Sequence, residues 1–238
     1  MPRFFVDPAA ICGDHIMLDA EILSHLRVLR LRPEETFVVC DGAGRDYACV
    51  LRGERGEIIA QSVNDAEPPV DCVVYLAYTR GERMDYAIQK SVELGASAIY
   101  LFPAERCVVK VDGKDLPKKL ARFEKIALEA AKQSGRGKIP PVIGMVSFKD
   151  AMIIAAQAEQ ALFFYENESG RTLRKALEAD SEFRTVSLVI GPEGGFAENE
   201  VALAVELGLQ TVSLGKRILR CETAPVAALA GVLFFVEG

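Results

Sequence analysis

Two short apolar runs constrain this chain more than anything else in it. Residues 161–165 and 186–190 carry no alternation of apolar and polar side chains. A strand with one wet face alternates. A run that does not alternate reads as a strand of a parallel sheet, buried on both faces. Such a sheet must be covered by helices. Helical stretches at 83–94, 115–133, 172–179, 198–207 and 223–236 do alternate with further strands at 73–78, 98–102 and 211–214. In the 115–133 stretch Leu120, Phe123, Ala127 and Ala130 recur at spacings of three and four, and Gly95 supplies a helix stop after Leu94. From Cys72 onward the chain is an α/β open parallel sheet.

Residues 1–70 follow a different grammar. Short β-branched or apolar segments at 3–6, 15–18, 36–40, 46–51 and 56–63 are bounded by turn signals, and Asp41-Gly42-Ala43-Gly44 marks a hairpin. One helix is expected at 20–29. So many strands in so little chain predict a small β-barrel. Residues 64–71 contain Pro68-Pro69 and read as a linker. The predicted domains are therefore 1–70 and 71–238.

Composition excludes several classes. The longest apolar stretches, 152–156 and 225–236, are too short to span a bilayer, and the N-terminus lacks a signal-peptide pattern. A soluble, cytoplasmic protein with no membrane partner is expected. Six cysteines without a CxxC pair, and only two histidines, predict no structural metal and no disulfide framework. The net charge is -6, but it is unevenly spread. Residues 1–70 hold 7 basic and 12 acidic side chains, whereas residues 103–140 hold 10 basic and 5 acidic. A local basic face can still meet phosphates on an acidic protein.

Two loops carry the chemistry. The strand 186–190 runs into Gly191-Pro192-Glu193-Gly194-Gly195-Phe196 and then a helix. Ligands of open α/β sheets bind at the carboxyl ends of strands, where glycine lets backbone approach closely. The spacing is neither a dinucleotide fingerprint nor a P-loop. Acids in the loop would repel phosphate and tolerate a cation. The second loop, 214–225, follows the next strand and brings Lys216, Arg217 and Arg220 to the same sheet edge. Glu222 and Thr223 suit the start of the last helix, and Pro225 suits its first turn.

With Leu214-Gly215-x-Arg217-Ile218-Leu219-Arg220-x-Glu222-Thr223-Ala224, the glycine loop resembles the RsmE family, uridine-N3 methyltransferases of ribosomal RNA in the SPOUT superfamily. His25-Leu26-Arg27-Val28-Leu29-Arg30, Asp41-Gly42, Lys90-x-x-Glu93-Leu94-Gly95 with Arg106, and Gln133-Ser134-x-Arg136 are similar to its other motifs. The resemblance implies a PUA-like barrel at 1–70 and a trefoil-knotted SPOUT domain at 71–238. It also implies S-adenosylmethionine as cofactor, small-subunit ribosomal RNA as substrate and a homodimer. The implied cofactor residues are Leu162, Tyr165 and Glu166, then Gly191, Pro192, Glu193 and Gly194, then Leu214, Gly215, Ile218, Leu219, Thr223 and Ala224. His25, Arg27, Arg30, Lys90, Arg106, Gln133 and Ser134 are expected to meet RNA. Two positions depart from the family pattern. Lys132 stands where Glu is more common, and Ala197 stands where a helix-capping Ser or Thr is expected.

Methyl transfer to N3 of uracil leaves negative charge on the base, so cations beside it lower the barrier. Arg220 is the first candidate for that role and Arg136 the second, with Glu222 or Glu93 as proton acceptor. The competing readings are a ribose 2′-O-methyltransferase of the same superfamily and a non-catalytic RNA-binding assembly factor. The first predicts a different product and the second predicts no cofactor binding.

Overall fold

The computed structural model describes residues 1–32, 34–110, 115–144 and 146–238. Asp112 and Lys114 of the basic stretch lie outside them. The chain forms two compact units, Met1–Glu67 with Ala131–Ile139, and Pro68–Ala130 with Pro140–Gly238. The sequence placed the first boundary three residues later and put 131–139 entirely in the second domain.

In the first unit, β1 (Arg3–Phe5), β2 (Ile11–Cys12), β3 (His15–Met17), β4 (Thr36–Cys40), β5 (Arg45–Arg52) and β6 (Arg55–Val63) form one sheet in the order β1-β4-β5-β6-β3-β2. Every neighbouring pair is antiparallel except β1 with β4. Helix α1 (Ala20–Leu29) starts at Asp19, whose carboxylate accepts from the Ile22 N–H at 2.7 Å. It buries Ile22 and Leu26 against Phe4, Phe37 and Val39.

A polar network ties Ala131–Ile139 into this unit. Arg3 grips the Asp46 carboxylate through both terminal nitrogens at 2.6 Å. Asn64 donates to Asp46 at 2.9 Å and to the Gly135 carbonyl at 3.0 Å. Arg136, expected beside the reacting base, is instead 3% exposed and held by Glu67 at 2.6 Å. The same Glu67 carboxylate accepts from the Gly137 and Lys138 N–H groups at 3.1 Å. Removing one partner of such a pair leaves the other buried without compensation. Glu67→Ala should therefore lower stability by about 2 kcal/mol, read as a fall in the urea midpoint. An unchanged midpoint would mean the network is not structural.

In the second unit, β7 (Asp71–Ala77), β8 (Ala98–Phe102), β9 (Val142–Ile143), β10 (Gln160–Phe164), β11 (Thr185–Ile190) and β12 (Gln210–Val212) pair in the order β12-β10-β11-β7-β8-β9. All five pairings are parallel. The helices are α2 (Glu82–Glu93), α3 (Leu116–Ser134), α4 (Phe148–Ala155), α5 (Leu173–Ala179), α6 (Glu198–Glu206) and α7 (Ala224–Glu237). Every residue of β10 is buried, as the apolar run demanded. Of the positions read as the apolar stripe of α3, Phe123, Ala127 and Ala130 are buried. Strand β9 and helix α4 were not anticipated. No helix among the described residues is long and apolar enough to cross a membrane.

Candidate functional site

The carboxyl ends of β10, β11 and β12 lie side by side because those strands are neighbours in the sheet. Their loops enclose a cleft of about 550 Å³, within the size range of small-molecule sites. Tyr165 and Glu166 line it after β10, and Gly191–Gly195 line it after β11. Ser213–Cys221 and Ala224 line it after β12.

Aromatic packing fixes the β11 loop. Phe196 is 1% exposed and sits against Phe163 at 4.2 Å between ring centroids, with Phe102 and Phe148 beyond. Any Cβ at Gly191 would lie 2.9 Å from the Phe196 ring, so only glycine lets the loop turn back over its own anchor. The Gly195 N–H closes the turn on the Pro192 carbonyl at 3.0 Å, and Gly195 takes a φ of 67°. Helix α6 follows without the capping hydroxyl that Ala197 cannot supply. Half of a capping box survives: the buried Glu200 carboxylate accepts from the Ala197 N–H at 2.9 Å and from the Glu105 N–H at 2.8 Å.

The β12 loop is anchored at both ends. Ser213 Oγ accepts from the Gly215 N–H at 3.1 Å. The Arg220 carbonyl accepts from the Thr223 and Ala224 N–H groups at 2.9 Å, which opens α7. Thr223 occupies the N-cap position, but its hydroxyl makes no capping bond. Arg220, Lys216 and Arg217 are exposed and line the cleft.

Glu222 is half-buried beside them. Burial works to raise its carboxyl. A backbone hydrogen bond, the Cys221 thiol and the charges of Arg83 and Arg220 outweigh burial and hold it below the ordinary carboxylate range. It is a carboxylate at neutral pH. Burial pushes the Cys221 thiol up to about 12, so it remains protonated and donates to Glu222 at 3.2 Å.

The other expected site residues divide. Leu162 is fully buried in β10 and does not line the cleft. Arg106 is exposed, with its Nη1 donating to the Gly194 carbonyl at 3.4 Å. Lys90 is bound by Glu93 at 2.7 Å and lies over the Tyr86 ring, so both members of that motif are committed to each other. His25, Arg27 and Arg30 are exposed on α1 and at its end, with the His25 ring edge-on to Phe4. Gln133, which is exposed, and Ser134 lie at the end of α3, and Arg136 belongs with Glu67 in the first unit. The sequence reading missed Arg83. It lies just after β7, the strand beside β11, so the rule of strand carboxyl ends was the signal that could have found it.

A family profile described as an RNA methyltransferase domain matches residues 66–233, and one described as an RNA methyltransferase PUA domain matches residues 18–61. The chain belongs to this RNA methyltransferase family. Among its relatives, the ribosomal RNA small subunit methyltransferase E of Mesomycoplasma hyopneumoniae is 34% identical over 96% of this chain and 97% of its own length. The protein of the same name from Bacillus subtilis is 32% identical over 91% and 88%. The crystal structure of the Neisseria gonorrhoeae protein of that name, bound to S-adenosyl methionine, superposes with a TM-score of 0.81. It is 35% identical, with coverage of 97% and 96%.

For an RNA methyltransferase the cleft suits S-adenosylmethionine on its own chemistry. Glu166 and Glu193 favour a sulfonium or an ammonium. Lys216, Arg217 and the N-terminus of α7 favour a carboxylate. At Gly215, with a φ of 108°, nothing lies within 4 Å of where a Cβ would stand, which leaves backbone open to a ligand. Among the described residues no group of three or more His, Cys, Asp or Glu side chains could hold a metal.

Proposed function

We propose that this protein transfers a methyl group from S-adenosylmethionine to N3 of a uridine in small-subunit ribosomal RNA. The observation that carries the reading is the convergence of the Gly191–Gly195 loop and the Arg217–Ala224 loop on one cleft. The relatives named as ribosomal RNA small subunit methyltransferase E supply the substrate class. The cofactor supplies an electrophilic methyl group on a sulfonium. This chain's residues do the rest. Arg220 stabilises the negative charge that grows on the uracil oxygens as N3 loses its proton. Glu222, already ionised and within reach of the Arg220 charge, is the proton acceptor. The Gly191–Gly195 backbone orients the cofactor, and proximity supplies much of the rate.

The uridine must be unpaired or extruded to reach the cleft. His25, Arg27 and Arg30 from the first unit, and Arg106 beside Gly194, serve as RNA contacts, with Gln133 and Ser134 as a further pair. The Arg217–Ala224 motif argues against the ribose 2′-O reading, and the methylated nucleoside produced decides between the two. The non-catalytic reading is disfavoured by the intact glycine loop.

Two further features belong to this reading. The segment after β10 folds over the end of β12: the Tyr165 N–H donates to the Val212 carbonyl at 3.1 Å and the Leu173 N–H to the Ser213 carbonyl at 3.0 Å. The chain then leaves β12 through the 214–223 loop into α7, which packs on α2, α5 and β11. A trefoil knot along this path belongs to the same reading. Helix α7 is apolar nearly throughout, yet Phe234 is 84% exposed beside a groove formed with Leu173 and Leu177 of α5. A second copy covering that face gives a homodimer. Leu214 and Gly215 line both the groove and the cofactor cleft, which supports an active site close to the interface of such a dimer. A cytoplasmic location follows from a ribosomal substrate.

The test is incubation with methyl-labelled S-adenosylmethionine and unmodified small ribosomal subunits. Label is expected in the RNA. Label in neither RNA nor protein, together with no cofactor binding, would instead support the assembly-factor reading.

A further inference from the structure

Two carboxylates from the two cofactor loops meet at one guanidinium that belongs to neither loop. Arg83 lies in the first turn of α2. Its Nη1 donates to Glu193 Oε1 of the β11 loop at 3.0 Å, and its Nε lies 3.9 Å from Glu222 Oε1 of the β12 loop. The Arg80 N–H reaches the same Glu193 oxygen at 3.4 Å, so the turn that starts α2 is fastened to the β11 loop twice. Strand β7, which feeds that turn, is the sheet neighbour of β11. The base of this bracket is therefore sheet backbone.

We propose that Arg83 is a positioning residue that braces the Gly191–Gly195 loop and the Arg217–Ala224 loop in the spacing the cofactor needs. The inference rests on the cleft being the S-adenosylmethionine site. Without the guanidinium, Glu193 and Glu222 lose their shared partner and repel as like charges, which works against the spacing of the two loops even though each keeps its own anchors. Arginine suits the task because its planar fork presents several donors in fixed directions, so one side chain serves two carboxylates. Lysine brings a single point charge. Glu193 lines the cleft directly, so a shift of its loop is felt by the ligand. The bracket acts before any RNA is present. A preformed cleft binds its ligand more tightly than one that must first be ordered.

The test is calorimetric titration of S-adenosylmethionine into the full-length protein without RNA. The set is wild type, Arg83→Met, Arg83→Lys, Glu193→Gln and the Arg83→Met/Glu193→Gln double variant, with melting followed in parallel. Arg83→Met is expected to weaken binding about tenfold with melting unchanged, and Arg83→Lys to recover part of that loss. The double variant is expected to be little worse than the poorer single variant, because both remove the same bracket. Wild-type affinity in Arg83→Met would overturn the proposal, and so would a fully additive double variant. If Arg83→Met does not fold, Arg83→Gln takes its place with the same expectations. Wild-type binding is the control: its failure would count against the cofactor site itself, whereas binding by wild type with no effect of Arg83 counts against the brace alone.

Discussion

Replacing Arg220 with alanine is expected to lower kcat about 100- to 1,000-fold, the usual cost of deleting one group aimed at developing negative charge. The fold should not notice. The Arg220 side chain is exposed, and its guanidinium makes no hydrogen bond or ion pair among the described residues. What Arg220 contributes structurally is its carbonyl, which opens α7, and alanine keeps that. The melting temperature should stay within the small range of surface substitutions. Arg220→Lys should recover part of the rate, since it keeps the charge and loses the fork. Single-turnover rates with saturating cofactor and RNA would separate this loss from weaker binding. Near-normal turnover in Arg220→Ala would remove the residue from the mechanism.

The second large effect is expected at Gly194. A Cβ there would lie 3.0 Å from the Arg106 Cβ and 3.1 Å from the Arg106 carbonyl oxygen. A flexible side chain could swing away, but a carbonyl in the main chain cannot. Valine, with two further methyl groups, must push the loop off its position over the cleft. A displaced loop that gives up about 3 kcal/mol of contacts with the ligand lowers affinity on the order of 100-fold. Gly194→Val should therefore raise the S-adenosylmethionine Kd by about that factor, measured by calorimetry. Gly194→Ala should show a much smaller rise. Equal affinities across the three proteins would mean that the loop does not contact the cofactor.

Much of this architecture is legible in local pattern. The apolar runs 161–165 and 186–190 correspond to β10 and β11, and the 20–29 helix matches α1 residue for residue. Those features are local, so sequence spacing carries them. Strand β9 escaped because it is two residues long after a pair of prolines. Helix α4 escaped because it spans only eight residues, although Ser147 with Asp150 three positions on is a capping signal. The segment Ala131–Ile139 could not be assigned from periodicity. Helix α3 continues unbroken into it, and nothing in the spacing says that Glu67 and Asn64 wait for it 69 to 71 positions away. For the same reason the sequence could rank Arg136 beside Arg220 as a cation near the base, while the fold buries it against Glu67. The cleft loops were readable as loops because glycine and proline mark them. The Arg83 bracket was not, since it joins three separate segments.

One measurement bears most directly on the central claim, that this cleft delivers a methyl group to the base rather than the sugar. RNA from small subunits treated with the protein and S-adenosylmethionine would be digested to nucleosides and resolved by mass spectrometry. N3-methyluridine is expected at one site, and is expected to be lost with Arg220→Ala. A 2′-O-methylated nucleoside in its place would contradict that claim.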